Sequence, residues 1–114
     1  MGETIEPYVT ASHTTTEDTT MTQTQSAFPL GRIVATPGAL AALATAGQTP
    51  HEFLARHMHK DWGDLSEEDR QENELSLREG FRLLSAYHTK LGEKLWIITE
   101  ADRSATTILL PSEY

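Results

Sequence analysis

Thr99, Glu100, Asp102, Arg103, Ser104, Thr106 and Thr107 crowd one bend between two apolar runs near the end of the chain. These residue types handle phosphates and protons. His88, a few residues upstream, could act as general base or acid, because an imidazole titrates near working pH. Glu100 could supply the second acid–base group. Arg103 could steady a pentacoordinate phosphate, with Thr106 or Ser104 positioning it. Together they would describe a small RNA-cleaving centre. The same bend also reads as a solvated hairpin loop, with Asp102 forming the turn and Arg103 paired to an acid.

Ribonucleases of the barnase, EndoU, colicin and RelE type place His, Arg, Glu and Ser or Thr on an antiparallel sheet after N-terminal helices. The order of elements expected here is comparable. Strand geometry opposes the reading. His88 ends one strand while Glu100 ends the next, so in a meander they lie about 15–20 Å apart at ~3.3 Å per residue. The basic patch that an RNA-cleaving enzyme needs is also missing. His51, His57 and His59 invite a metal reading, but spacings of six and two share no helical face. His51-Glu52 is not followed by the second His of an H-E-x-x-H motif. No metal and no cofactor are expected. Trp62 and Trp96 could be ligand platforms, yet large aromatics in so small a domain are usually core or half-core. No phosphate-binding glycine loop and no nucleophile elbow is present.

Composition narrows the class. The chain has 114 residues, no cysteine and a net charge of −8. One domain fits in that length, and it must hold by packing without disulfides or thiolate ligands. No apolar run is long enough to span a membrane, and no secretory signal opens the chain. A cytoplasmic location is expected. Residues 1–27 are rich in Thr, carry Glu3, Glu6, Glu17 and Asp18, and contain no Lys or Arg. Such a segment cannot offset the entropy of ordering, so it is expected to be a disordered acidic tail. Met21 opens a plausible shorter reading frame within it. The acidic balance disfavours direct nucleic-acid binding, which rests on clustered Lys and Arg. It permits binding to a basic patch on another protein, while the plainer reading of the charge is solubility.

The elements that must position these groups begin at Phe28. Arg32-Ile33-Val34-Ala35 is β-prone and stops at Thr36-Pro37, an N-cap followed by a proline at the first helical position. A short Ala/Leu helix follows to Ala46, closed by Gly47. Thr49-Pro50-His51-Glu52 makes a capping box for a second helix. It presents Phe53, Leu54, Met58 and His57 on one face and ends at Trp62-Gly63. Ser66 and the acids Glu67, Glu68 and Asp69 start a third helix that runs to Glu79. Leu75 and Leu77 are its narrow apolar stripe, and Glu74 and Arg78 are spaced to pair. Three strands then alternate through Phe81–Pro111, the middle one apolar on both faces. The expected fold is a two-layer α+β domain over residues 28–114. A small antiparallel sheet, a three-stranded meander with Ile33-Val34 as a fourth edge strand, carries two to three helices on one face. Residues 106–110 are expected to be an exposed edge, which leaves a homodimer open.

The stretch from Phe28-Pro29-Leu30-Gly31-Arg32-Ile33-Val34-Ala35-Thr36-Pro37-Gly38-Ala39 resembles the opening of small proteins carried on bacterial plasmids and other mobile elements. Lys94-Leu95-Trp96-Ile97-Ile98-Thr99-Glu100-Ala101-Asp102-Arg103-Ser104 and the residues to Pro111 are similar to their ending. The resemblance covers about residues 28–114. It implies an accessory gene of a plasmid or phage, regulatory or acting against host defence, and assigns no activity. The expected function is therefore non-enzymatic: binding of a host or element-encoded protein. The contacts would be the third helix, through Glu68 and Glu72 among its acids, and the polar turn, through Thr99, Glu100, Asp102, Arg103, Ser104 and Thr106. The alternative is a small ribonuclease or toxin-like enzyme using His88, Glu100, Arg103 and Thr106.

Overall fold

In the computed structural model, residues 26–114 and the backbone of Glu3–Thr4 are described. Most of the expected tail, residues 1–2 and 5–25, lies outside the described residues, and Met21 with it. Glu3–Thr4 form a two-residue strand, β1. Next come β2 (Arg32–Ala35), α1 (Pro37–Ala46), α2 (Pro50–Met58) and α3 (Glu67–Glu79). The meander is β3 (Leu83–His88), β4 (Lys94–Thr99) and β5 (Ala105–Leu109), and a short 3₁₀ turn spans Pro111–Glu113.

The caps sit where the side chains demand them. The Thr36 hydroxyl accepts the Ala39 amide, with Pro37 at the first turn, and Gly47 closes α1 at φ 68°. Thr49 and Glu52 form the capping box of α2. Ser66 accepts the Asp69 amide at the start of α3. Glu113 adds a cap that crosses the whole sequence. Its carboxylate takes the Thr36 hydroxyl and the Gly38 and Leu110 amides. A negative charge there answers the positive end of the α1 dipole.

The chain is an α+β domain, with strand order β1-β2-β5-β4-β3. The meander is antiparallel, as expected. The fourth strand is present, but β2 runs parallel to β5, with Ile33 opposite Thr106 and Ala35 opposite Ile108. This overturns the expected edge at 106–110: β5 is an interior strand, because the three helices return the chain to the same end of the sheet from which β2 began. Ile33 and Ala35, Thr106 and Ile108, Leu95, Ile97 and Thr99, and Leu83, Ser85 and Tyr87 line one face. All are buried. Ala39 and Leu43 of α1 and Phe53 and Leu54 of α2 pack on that face as the main core.

Two details of the helices depart from the sequence reading. The second ends at Met58, not at Trp62, which instead joins Phe28 and Leu83 in a second buried cluster. On α3 the buried residues are Asn73 and Ser76, while Leu75 is 38% exposed and only Leu77 packs inward. Polar contacts, not an apolar stripe, fix this helix. Glu74 turns away from Arg78 to meet Lys60 at 3.3 Å and accept the Trp62 indole N–H.

Candidate functional site

The polar run Thr99–Thr107 divides between two environments. Thr99 and Thr106 point to the core face of the sheet, where each is fully buried. A buried hydroxyl must find a partner or cost roughly 1–3 kcal/mol. The partner is His57, carried over the sheet by α2 and itself fully buried. Its Nδ1 lies 2.6 Å from Ser85 Oγ and its Nε2 2.9 Å from Thr99 Oγ1. Thr99 Oγ1 is 2.8 Å from Thr106 Oγ1, which donates to the Leu30 carbonyl at 2.7 Å.

These contacts determine the direction of every bond. A carbonyl only accepts, so the single Thr106 proton goes to Leu30. Thr99 must then donate to Thr106, and so must accept from His57. His57 is therefore the Nε2–H tautomer, and Ser85 donates to Nδ1. Phe28 and Trp62 meet the imidazole edge-on at centroid distances of 5.2 and 5.8 Å. Burial, with the Arg103 charge nearby, pushes the His57 pKa down to about 3. The imidazole is neutral in the fold and joins α2 to β3, β4 and β5.

The exposed half of the run is a tight turn. The Asp102 carboxylate accepts the Ser104 amide at 3.0 Å, and hydrogen bonds from Ser104 hold its pKa below the usual carboxylate range. Arg103 has φ 61°, a left-handed conformation that non-glycine residues adopt at some cost. Its guanidinium is spent on the backbone. Nη1 donates to the carbonyls of Phe81, Glu100 and Ala101 at 2.7, 3.0 and 3.1 Å, and Nη2 donates to Ser76 at 3.2 Å. The expected pairing of Arg103 with an acid is replaced by these carbonyls, and the turn is stapled to the last turn of α3. Gly31 backs the turn from the other side. A Cβ there would lie 2.5 Å from the Arg103 carbonyl oxygen, so the chains can pass only without a side chain.

The four residues of the ribonuclease reading do not converge. His88 pairs in register with Lys94 at one end of the hairpin, and its Nδ1 meets Asp64 at 2.7 Å. Glu100 follows Thr99, which pairs with Leu83 at the other end, and meets Arg82 at 3.6 Å. The strand between them spans about 17 Å. Thr106 faces the core, on the opposite side of the sheet from His88. Of the three clustered histidines, His57 is in the core, while His59 bonds the Ala55 carbonyl at 2.7 Å. Among the described residues no three His, Cys, Asp or Glu side chains converge as metal ligands would.

Glu68 and Glu72, by contrast, are brought together. With Asp69, Asn73 and Ser76 they line one wall of an open groove of about 420 Å³ beside β3, which Leu65, Leu84 and Arg82 complete. Spacings of four put Glu68, Glu72 and Ser76 on one helical face. Asn73 fixes the distance across the groove: its side-chain amide donates to the Leu84 carbonyl and accepts the Leu84 amide at 3.1 Å.

The sequence reading missed Ser85 and Asn73, and saw His57 as one residue of an apolar helix face and as a rejected metal ligand. One signal was available. Ser85, Thr99 and Thr106 all fall on the inward register of apolar strands, and three buried hydroxyls require a partner from the covering helix. Trp62 is core, as read; Trp96 is half-buried on the outer face, edge-on to Tyr114. No helix among the described residues is long and apolar enough to cross a membrane. Comparison with family models, with curated proteins and with solved structures finds no match to this chain.

Proposed function

We propose that this protein is a non-enzymatic accessory protein of a plasmid or phage that binds a host or element-encoded protein, in a regulatory or anti-defence role. The observation that carries the reading is the groove between α3 and β3. Glu68, Asp69 and Glu72 line it together with the apolar side chains of Leu65 and Leu84 and with Arg82. That lining suits a segment with a cationic residue beside an apolar one: the charge would meet the carboxylates and the apolar group the leucines. The net charge of −8 favours the approach of such a partner. The setting on a mobile element rests on the resemblance at Phe28–Ala39 and Lys94–Pro111.

The polar turn has a smaller part in this reading than its composition suggests. Thr99 and Thr106 are in the core and Arg103 holds the backbone, so the exposed Asp102 and Ser104 and the half-buried Glu100 remain as its contacts. The test is affinity purification from a bacterial host, using the wild type and a Glu68→Lys, Glu72→Lys double variant. A partner held by the wild type, weakened by salt and lost in the variant while circular dichroism is unchanged, is the expected outcome. A partner retained by the variant removes the groove from the reading. RNA cleavage by the wild type, lost in His88→Ala, would replace it with the enzymatic alternative.

A further inference from the structure

The two edges of the sheet are finished differently. At the β3 edge the backbone is closed from within the fold. Asn73 takes both the amide and the carbonyl of Leu84. Ala86 donates to the Trp62 carbonyl at 3.1 Å and accepts the Asp64 amide. A Cβ on Gly63 would lie 2.0 Å from the Ala86 carbonyl oxygen, so glycine is what allows this segment to lie against the strand. No further strand can add there.

Among the described residues the β2 edge has no comparable closure by a loop or side-chain amide. Arg32 and Thr36 donate their amides to Ser104 and Ile108 on the β5 side. By strand alternation Val34 does the same, so the amides and carbonyls of Ile33 and Ala35 point outward. What meets them is β1, antiparallel, with Glu3 opposite Ala35 and Thr4 opposite Val34. An edge that presents unpaired amides invites an extended segment.

We infer that the outer edge of β2 is a strand-docking surface whose resident is the chain's own N-terminal segment at Glu3–Thr4. The inference is independent of the groove: it concerns the opposite end of the sheet and backbone rather than side-chain recognition. A chain beginning at Met21 lacks the resident strand and presents the edge to another extended segment.

Amide hydrogen exchange by NMR on residues 1–114 and 21–114, both in dilute solution, tests it. The Ala35 amide reports on the edge, the Val34 amide on the β5 side, and the Ile97 amide on global opening. Ala35 should exchange about tenfold faster or more in 21–114, with Val34 and Ile97 unchanged. Glu3→Pro in the full chain removes the Glu3 amide and should give the same selective loss without a truncation. If protection of Ala35 returns as 21–114 is concentrated, a second copy has taken the vacated edge, which also supports a strand-docking surface. Equal and concentration-independent exchange of Ala35 in all three proteins, whether slow or fast, overturns the inference.

Discussion

The core cluster around His57 and the turn around Arg103 are both dense in polar atoms, and they do opposite things with them. In the core, His57, Ser85, Thr99 and Thr106 form a side-chain relay that ends on the Leu30 carbonyl, away from water. In the turn, Arg103 satisfies four backbone carbonyls, while Glu100 and Asp102 keep contact with solvent. The difference teaches where a polar residue is indispensable. A hydroxyl facing the core has no water to fall back on, so its protein partner carries the full cost of desolvation. A carboxylate on a turn can be changed freely unless a partner molecule needs it.

Breaking the core cluster should have the largest effect. His57→Ala leaves a void between α2 and the sheet and strands two buried hydroxyls. Urea unfolding should show a loss of about 3–5 kcal/mol, a large part of the stability of a domain this size. His57→Gln, which can still donate to Thr99 and accept from Ser85, should lose much less.

Acid sharpens the same contrast. In the fold the His57 pKa is pushed down to about 3, whereas the unfolded chain protonates near the ordinary value of 6.5. The unfolded state therefore binds the proton first as pH falls. Stability at this site is complete above about pH 6.5 and is lost progressively toward pH 3. Urea midpoints of the wild type should fall between pH 6.5 and 4.5, and those of His57→Gln should stay nearly flat there. Below that window both proteins should weaken, because the Asp61 and Glu113 carboxyls are held below their usual range by Arg56 and Thr36.

Arg103→Ala tests the turn. Losing the guanidinium removes a donor from four carbonyls, of which Phe81 and Ala101 sit at exposed contacts while Ser76 and Glu100 keep backbone donors, so a cost of about 2 kcal/mol is expected in the same unfolding assay. Arg103→Lys should recover only part of it, because an ammonium cannot span both Ser76 and Phe81 as the fork does. The smallest effect on stability should come from Glu68→Lys with Glu72→Lys. These exposed residues should shift unfolding by no more than about 0.5 kcal/mol while altering partner capture. A large destabilisation there would mean that the groove is structural.

Local order was legible wherever it depends on near neighbours. Thr36-Pro37, Thr49-Pro50-Glu52 and Ser66 announced three helix starts, and Gly47 one end, because a cap involves residues within one turn of each other. The three strands of the meander followed from alternation. The α3 stripe was misread because Asn73 and Ser76 are polar, and only their distant partners, Leu84 and Arg103, make them interior. The candidate site was legible as a list of residue types and not as a place. Thr99, Arg103 and Thr106 are close in the chain, yet they face the core, the end of α3 and the core again.

By itself the sequence determined the α+β class, the element starts and the acidic balance of the chain. Those follow from composition and from periodicities of a few residues. Tertiary structure alone decided that β2 lies parallel to β5, that His57 rather than His88 is the histidine bonded to hydroxyls on two strands, and that Glu68 and Glu72 overlook a groove. Each of these depends on contacts between residues tens of positions apart. Nothing local specifies such contacts; they are selected by which arrangement buries the apolar faces while leaving no interior hydroxyl or amide without a partner.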